Sequence, residues 1–158
     1  MKLLFAGDFS VQDRAIGLFQ NSGNAIDSFK PIGDICKHHD LSIVNFESPV
    51  TERKEGILKD GPCIRNPKSS IDVLKKTGFG LFTLANNHLK DYGSLGVIDT
   101  ISALDEYDID YVGAGRNLEE SRVPYTFEKD NIKVGIINVC ENESSIATDN
   151  ESGSNPIS

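Results

Sequence analysis

Short apolar runs alternate along this chain with segments of helical spacing, and this alternation constrains the possible fold more than any other feature. Apolar runs that predict buried strands lie at Lys2–Ala6, Leu41–Phe46, Phe79–Ala85 and Ile109–Val112. Between them, apolar residues recur at helical spacing in residues 25–38, 69–76 and 95–107. Strands that alternate with helices predict an α/β fold, in which a mostly parallel sheet is flanked by helices.

The last part of the chain follows a different pattern. Tyr125–Glu128 and Ile132–Val139 flank Lys129–Asn131, whose Asp-Asn pair suits a tight turn, so a C-terminal hairpin is predicted. Residues 141–158 consist largely of Glu, Asn, Ser and Gly. We therefore expect one domain over residues 1–140 and a polar loop or tail over 141–158, and composition alone leaves a disordered terminus open.

Composition and charge exclude several classes of protein. The 158 residues carry a net charge of −8, which argues against a nucleic-acid partner held by a broad basic face. No apolar run approaches the roughly 18–20 residues of a membrane span, and the apolar start ends at Gly7-Asp8, too early for a signal peptide. The cysteines (Cys36, Cys63 and Cys140) form no CxxC pair, which favours reduced thiols and a cytoplasmic location.

Three of the predicted strands end in side chains that can bind a hard cation. These are Asp8 after the first strand, Asn45 and Glu47 at the second, and Asn86, Asn87, His88 and Asp91 after the third. Ligands of open α/β sheets gather beyond the carboxyl ends of the strands. Carboxylate oxygen, amide oxygen and imidazole nitrogen together suit Mn, Fe, Zn or Mg, and such a cation would polarise a phosphoryl or carbonyl oxygen and acidify a water.

Each of these residues also has a purely structural interpretation. Asp8 is of a type often found in turns and helix caps, and Asn45 and Glu47 can simply close a strand. The pair Asn86-Asn87 can hold a turn, because Asn tolerates left-handed backbone geometry. A single histidine such as His88 is more often hydrogen-bonded within a fold than bound to a ligand. The coincidence of such donors at three strand ends is what favours a site.

The segment Ala85–Gly93 reads ANNHLKDYG, and its NNHxxDxG pattern resembles the CapA family, which is named for poly-γ-glutamate capsule synthesis. The agreement extends in order to Gly7-Asp8, Asn45–Pro49, Gly113–Asn117 and the Lys133–Val139 strand, so it covers nearly the whole chain. The resemblance implies the first half of a calcineurin-like metallophosphatase sandwich, with two facing sheets, flanking helices and a dinuclear Mn, Fe or Zn site.

The resemblance also implies roles for individual residues. Asp8 would be a ligand of the first metal, Glu47 would stand where a carboxylate bridges both metals, and Asn87 would bind a metal through its amide oxygen. His88 would stabilise or protonate the reacting group, and Asp91 would orient His88. The last pair also has a chemical basis, because a carboxylate fixes the tautomer of an imidazole and raises its basicity.

Four further residues are candidates for contact with the substrate: Asn45, Asn86, Glu141 and Glu143. Asn86 has an alternative role in supporting its own loop. Glu141 and Glu143 lie in the polar segment that, in a longer relative, would border the substrate, although a solvated loop is the simpler interpretation.

The family carries further histidines in a second half, in an HxG-E-like and a GHxH-like segment. This chain has only His38, His39 and His88, and neither segment is present. We therefore expect the sequence to be the N-terminal portion of a longer protein or a naturally short member of the family.

Two functions remain open from the sequence. The first is a CapA-like protein of capsule or poly-γ-glutamate biosynthesis that hydrolyses phosphoester or acyl substrates with metal, acting on an anionic or polyglutamate-like substrate. The second is a non-catalytic module that binds metal or polyanions, with the loop Thr51–Lys68 supplying basic contacts from Arg53, Lys54, Lys59, Arg65 and Lys68. An exposed sheet face would also allow copies to form a homo-oligomer.

Overall fold

The computed structural model describes residues 1–20 and 22–157, so Ser158, the last residue of the predicted tail, lies outside the described residues. The elements in chain order are β1 (Leu3–Phe9), α1 (Arg14–Phe19), α2 (Ser22–Cys36), β2 (Leu41–Phe46), α3 (Ser69–Thr77), β3 (Leu81–Thr83), α4 (Gly93–Glu106), β4 (Asp110–Val112), β5 (Ala114–Gly115), α5 (Leu118–Ser121), β6 (Tyr125–Lys129), β7 (Ile132–Ile136) and β8 (Gly153–Ser154).

The first four strands form one parallel sheet in the order β1-β2-β3-β4. Each parallel connection needs a crossover, and the helices α2, α3 and α4 lie in these crossovers. Two small antiparallel pairs, β5-β8 and β6-β7, complete the strands of the described chain. The predicted α/β fold with a mostly parallel sheet, flanking helices and a hairpin is therefore confirmed.

Strand β2 shows how the sheet is buried on both faces. Val44 and Phe46 point into a core formed with α3 and α4, whereas Leu41 and Ile43 point into a second core that includes Ile136 of the hairpin. The four β2 side chains are almost fully buried. Burial of each such side chain contributes roughly 1.5–3 kcal/mol. The strand is therefore apolar on both faces because helices cover one face and the β6-β7 hairpin covers the other.

The β6-β7 hairpin turns through Asp130 and Asn131, whose φ angles of 55° and 60° are those of a tight turn matched to the twist of the strands. Its second strand ends at Ile136, whereas the sequence pattern predicted a strand up to Val139. The difference arises at Asn138, whose Oδ1 accepts from the Ala85 N–H (2.6 Å). The residues after Ile136 thus bond to the end of the third strand instead of to β6.

Strand β1 runs further than the sequence predicted. Its apolar run was expected to end at Gly7-Asp8, but the strand continues to Phe9. The pairing with β2 shifts register between Phe5 and Asp8, and this irregularity brings Asp8 opposite Asn45. Asp8 therefore lies in the strand itself, at the carboxyl end of the sheet.

The polar segment 141–157 is mostly loop, with the short strand β8 paired to β5. Two of its buried serines donate to backbone carbonyls: Ser152 donates to Ser94 (2.7 Å), and Ser154 donates to Asn86 (3.2 Å). Lys90 donates to Glu151 (2.9 Å), which lowers the pKa of that carboxyl. The segment thus packs beside the loop that follows β3. A domain boundary at residue 140 stays a prediction.

Within residues 1–20 and 22–157, no helix combines the length and apolar character that crossing a membrane requires.

Gly78, which ends α3, provides a test of the packing between α2 and α3. Its φ of 108° is left-handed, and a Cβ at this position would lie 3.0 Å from Cys36 Cβ. We expect Gly78→Ala to lower the free energy of unfolding by about 1–2 kcal/mol, because alanine is strained at positive φ and clashes with α2. Urea unfolding followed by circular dichroism measures this.

Gly17→Ala is the matched control, since a Cβ at Gly17 in α1 would meet nothing within 4 Å. This change should be neutral or stabilise by up to about 1 kcal/mol, as expected for alanine in a helix. Equal destabilisation by both substitutions would contradict the described contact.

Candidate functional site

Asp8 and Asn45 face each other at the carboxyl ends of β1 and β2. The Asn45 amide donates from Nδ2 to Asp8 Oδ1 (2.8 Å), and the Thr83 hydroxyl donates to Asn45 Oδ1 (3.1 Å). One line of hydrogen bonds therefore crosses three adjacent strands and orients the exposed Asp8 carboxylate. Because both ends of the Asn45 amide are used, this residue supports Asp8, and its contact with a substrate stays a prediction.

Glu47 directly follows β2 and is half-buried. Its backbone N–H donates to the Phe9 carbonyl (3.1 Å), the residue after Asp8 in β1. The carboxyl groups of Asp8 and Glu47 therefore belong to neighbouring strand ends, and their sharing of one site stays a prediction.

Asn86 holds the loop after β3 in place. Its Nδ2 donates to the carbonyls of Phe46 and Leu84 (both 3.1 Å), and its Oδ1 accepts from the His88 N–H (3.0 Å). The side chain is buried, so its amide is committed to the backbone around it. This geometry corresponds to the structural alternative of the sequence analysis, in which Asn86 supports its loop.

His88 is held by the buried carboxylate of Asp91. The distance from His88 Nδ1 to Asp91 Oδ2 is 2.8 Å, and the Asp91 side chain has no exposed surface. The Asp91 N–H also donates to the His88 carbonyl (3.0 Å), which closes a turn between the two residues. The pairing that the motif predicted is therefore present in the structure, while its catalytic role stays a prediction.

The loop between β2 and α3 reaches the same carboxylate from the other side. Lys59 Nζ donates to Asp91 Oδ1 and lies 3.2 Å from His88 Nδ1. The Ile64 N–H donates to Asp91 Oδ2 (2.8 Å), and the Ile57 N–H donates to the Asp91 carbonyl (2.8 Å). Asp91 therefore fixes residues 57–64 of this loop against His88.

These contacts determine which nitrogen of His88 carries the proton. If Nδ1 were bare, its lone pair would face the Asp91 Oδ2 lone pairs at 2.8 Å, which is repulsive. Nδ1 therefore donates to Oδ2, and the ammonium of Lys59 cannot use this nitrogen as an acceptor. In the neutral ring Nε2 is then the bare nitrogen, available to accept or, once protonated, to donate a proton.

A cavity of about 340 Å³ lies beside His88. Asn87 and His88 line it together with Lys59–Pro62 of the loop, and Glu143 and Ser144 close it from the polar segment. Asn87, His88 and Glu143 thus come together at one cavity. Glu141 is exposed, and its carbonyl accepts from the Glu143 N–H (2.9 Å).

Most basic residues of the loop Thr51–Lys68 are engaged within the chain. Arg53 donates to Asp99 (3.1 Å), Lys68 donates to Glu106 (2.5 Å), and Arg65 donates to the Thr51 carbonyl (3.3 Å). Lys54 is exposed. Of the five basic residues predicted as contacts, Arg53, Lys59 and Lys68 are therefore paired with carboxylates, and Arg65 is held by backbone carbonyls.

The donors at the strand ends fit a metal site only in part. Asp8 and Glu47 offer the carboxylate oxygens that a hard divalent cation prefers, and the exposed amide of Asn87 is compatible with them. However, the part of the chain that the structure describes contains no group of three or more His, Cys, Asp or Glu residues placed to hold a metal ion.

Two residues of this region were not assigned a role at the site from the sequence alone. Thr83 is the polar last residue of β3, and its position at a strand end was the only available signal. Lys59 appeared only as one of several loop cations. Its contact with Asp91 joins residues that are 32 positions apart, and no periodicity in the sequence predicts such a pair.

Comparisons with known proteins agree with the resemblance seen in the motifs. The family described as bacterial capsule synthesis protein PGA_cap matches residues 2–157. The chain is 39% identical over 95 residues to the capsule biosynthesis protein CapA of Bacillus anthracis, a match that covers 58% of this chain and 23% of that protein. It is 31% identical over 128 residues to the PGA biosynthesis protein CapA of Bacillus subtilis, covering 80% of this chain and 33% of the relative.

A probable polyglutamine synthesis accessory protein of Mycobacterium tuberculosis is 32% identical over 83 residues, or 52% of this chain and 22% of that protein. The matches thus span about a quarter to a third of the length of the curated relatives.

The adjacent residues Asn86 and Asn87 allow a matched test of the loop. We expect Asn86→Asp to lower the free energy of unfolding by about 2–4 kcal/mol, because a carboxylate cannot donate to the two carbonyls that Asn86 Nδ2 contacts. Asn87→Asp at the exposed neighbour should change it by less than about 0.5 kcal/mol. Urea unfolding curves measure both, and a similar cost at the two positions would refute the structural role of Asn86.

Proposed function

The chain belongs to the family described as bacterial capsule synthesis protein PGA_cap, and from this premise we propose that it serves poly-γ-glutamate capsule biosynthesis. The names of the Bacillus relatives, which are capsule and PGA biosynthesis proteins, support this assignment. We further propose that its reaction is a metal-dependent hydrolysis or transfer at a phosphoester or acyl centre, on an anionic or polyglutamate-like substrate.

The pairing of His88 with Asp91 carries the proposed chemistry. Asp91 holds the imidazole by Nδ1, which leaves Nε2 as the bare nitrogen of a ring that lines a cavity of about 340 Å³. A nitrogen in this position can donate a proton to a leaving oxygen or accept one from an attacking group. Since the carboxylate is buried and fixed by loop contacts, the ring needs little reorganisation during the reaction.

Residues at the strand ends would supply the metal ligands. Asp8, Glu47 and Asn87 would hold a divalent cation such as Mn, Fe or Zn, and such a cation would polarise the scissile group and acidify a water. Asn45 would then keep the Asp8 carboxylate in a single orientation through their hydrogen bond (2.8 Å). We propose a dinuclear centre, for which donors besides these three are required.

A non-catalytic binding or assembly module is the second candidate. It would bind metal or a polyanion without turnover, and the carboxylates of Asp8 and Glu47 at neighbouring strand ends would hold a single ion. Large apolar side chains that remain exposed, such as Phe5 and Ile137, support the further proposal that copies form a homo-oligomer. The three cysteines are free, which supports the proposed cytoplasmic location.

An activity assay on phosphoester and γ-glutamyl peptide substrates, with Mn²⁺ or Zn²⁺ added, tests the catalytic proposal. We expect His88→Ala to lower the rate by about a hundredfold or more, because a positioned general acid or base contributes that much. His38→Ala is the matched control, since His38 is exposed at the end of α2, and it should leave the rate unchanged.

Thermal unfolding with and without the same metals separates the two candidates. Stabilisation by metal with detectable turnover supports the enzyme, whereas stabilisation without turnover favours the binding module. Detectable turnover that is unchanged in His88→Ala would refute the catalytic role of His88.

A further inference from the structure

Lys59 is the loop cation that lies deepest in the candidate site. Its side chain is only 12% exposed, and its ammonium contacts the buried carboxylate of Asp91. The same ammonium lies 3.2 Å from His88 Nδ1. Lys59 also lines the 340 Å³ cavity together with Asn87 and His88. The residue therefore belongs both to the buried ion pair and to the wall of the cavity.

The ammonium has more donors than its described partners can accept. A lysine ammonium carries three N–H groups and no acceptor. One of them is used by Asp91 Oδ1. His88 Nδ1 is not an acceptor, because its N–H donates a hydrogen bond to Asp91 Oδ2 (2.8 Å). Lys59 thus retains hydrogen-bonding capacity at the point where it lines the cavity.

The charges around the cavity limit which ligands can accept a hydrogen bond from Lys59. Lys59 is the only permanent cation among the residues that line the cavity in the described chain, while Asp60 and Glu143 place carboxylates on its exposed walls. A long polyanion lying across these walls would meet like charges. A single small oxyanion that enters the cavity would meet the N–H donors of Lys59 and of the Asn87 amide.

We propose that Lys59 is a ligand-binding residue, which makes the cavity beside His88 a receptor for one small oxyanion, a carboxylate or a phosphate. This inference rests on the proposed function, because it takes the region around His88 to be the functional site, and it adds the class of ligand. Lys59 then has two roles: it neutralises Asp91 and donates a charge-assisted hydrogen bond to the bound oxyanion.

Titration of the metal-free protein with inorganic phosphate or with acetate, at fixed ionic strength and followed by ¹H–¹⁵N NMR, tests the proposal. We expect saturable shifts at Asn87 and His88, and the anion that binds more tightly identifies the source of the oxyanion. Lys59→Gln, which keeps a donor for Asp91 but removes the charge, should weaken binding about tenfold or more. Lys59→Arg should retain most of the affinity.

Lys54→Gln removes the same charge from an exposed position of the same loop and should change the affinity less than twofold. Equal weakening by Lys59→Gln and Lys54→Gln, or the absence of saturable shifts in the unsubstituted protein, would overturn the proposal. If Lys59→Gln does not fold, the side-chain Nζ resonance of Lys59 in the unsubstituted protein decides, since a resonance that does not move with the anion would equally overturn it.

This readout is independent of turnover. Anion binding through Lys59 without hydrolysis would refute the proposed reaction and leave this inference standing, and hydrolysis without anion binding at Lys59 would do the reverse.

Discussion

The buried carboxylate of Asp91 is the interaction on which the candidate site depends. It accepts from Lys59 and Ile64 of one loop and from His88 Nδ1, so it joins this loop to the turn that follows β3. Its side chain has no exposed surface, and a buried charge that loses its partner costs about 3–5 kcal/mol. The loop and the ring are therefore held together, and neither can move far while the other keeps its place.

The parallel sheet supplies the other half of the arrangement. Because β1, β2 and β3 run in the same direction, their carboxyl ends meet at one edge, where Asp8, Asn45 and Thr83 form a continuous line of hydrogen bonds. The irregular register of β1 is what brings Asp8 opposite Asn45. The loop after β3 is then fixed by Asn86, whose amide bonds to backbone on both sides. The parallel direction of β1, β2 and β3 thus determines both the packing of the sheet and the position of these polar groups.

Features that depend on local periodicity could be predicted from the sequence. The β2 run of alternating apolar faces and the Asp130-Asn131 turn specify their own geometry, and the structure has both. The pairing of His88 with Asp91 was also foreseeable, because a short motif carries it. Contacts between distant residues were not, since Lys59 meets Asp91 across 32 positions and Ser154 meets Asn86 across 68. These polar contacts follow from the path of loops, which apolar spacing does not encode.

The protonation pattern of the His88 ring is the sharpest test of the contact between His88 and Asp91. A long-range ¹H–¹⁵N spectrum of the neutral imidazole distinguishes the nitrogen that carries the proton from the bare one, and the chain contains only His38, His39 and His88 to assign. We expect Nδ1 of His88 to be protonated and hydrogen-bonded while Nε2 is bare. A ring that carries its proton on Nε2 would contradict the hydrogen bond to Asp91, and with it the arrangement of the site.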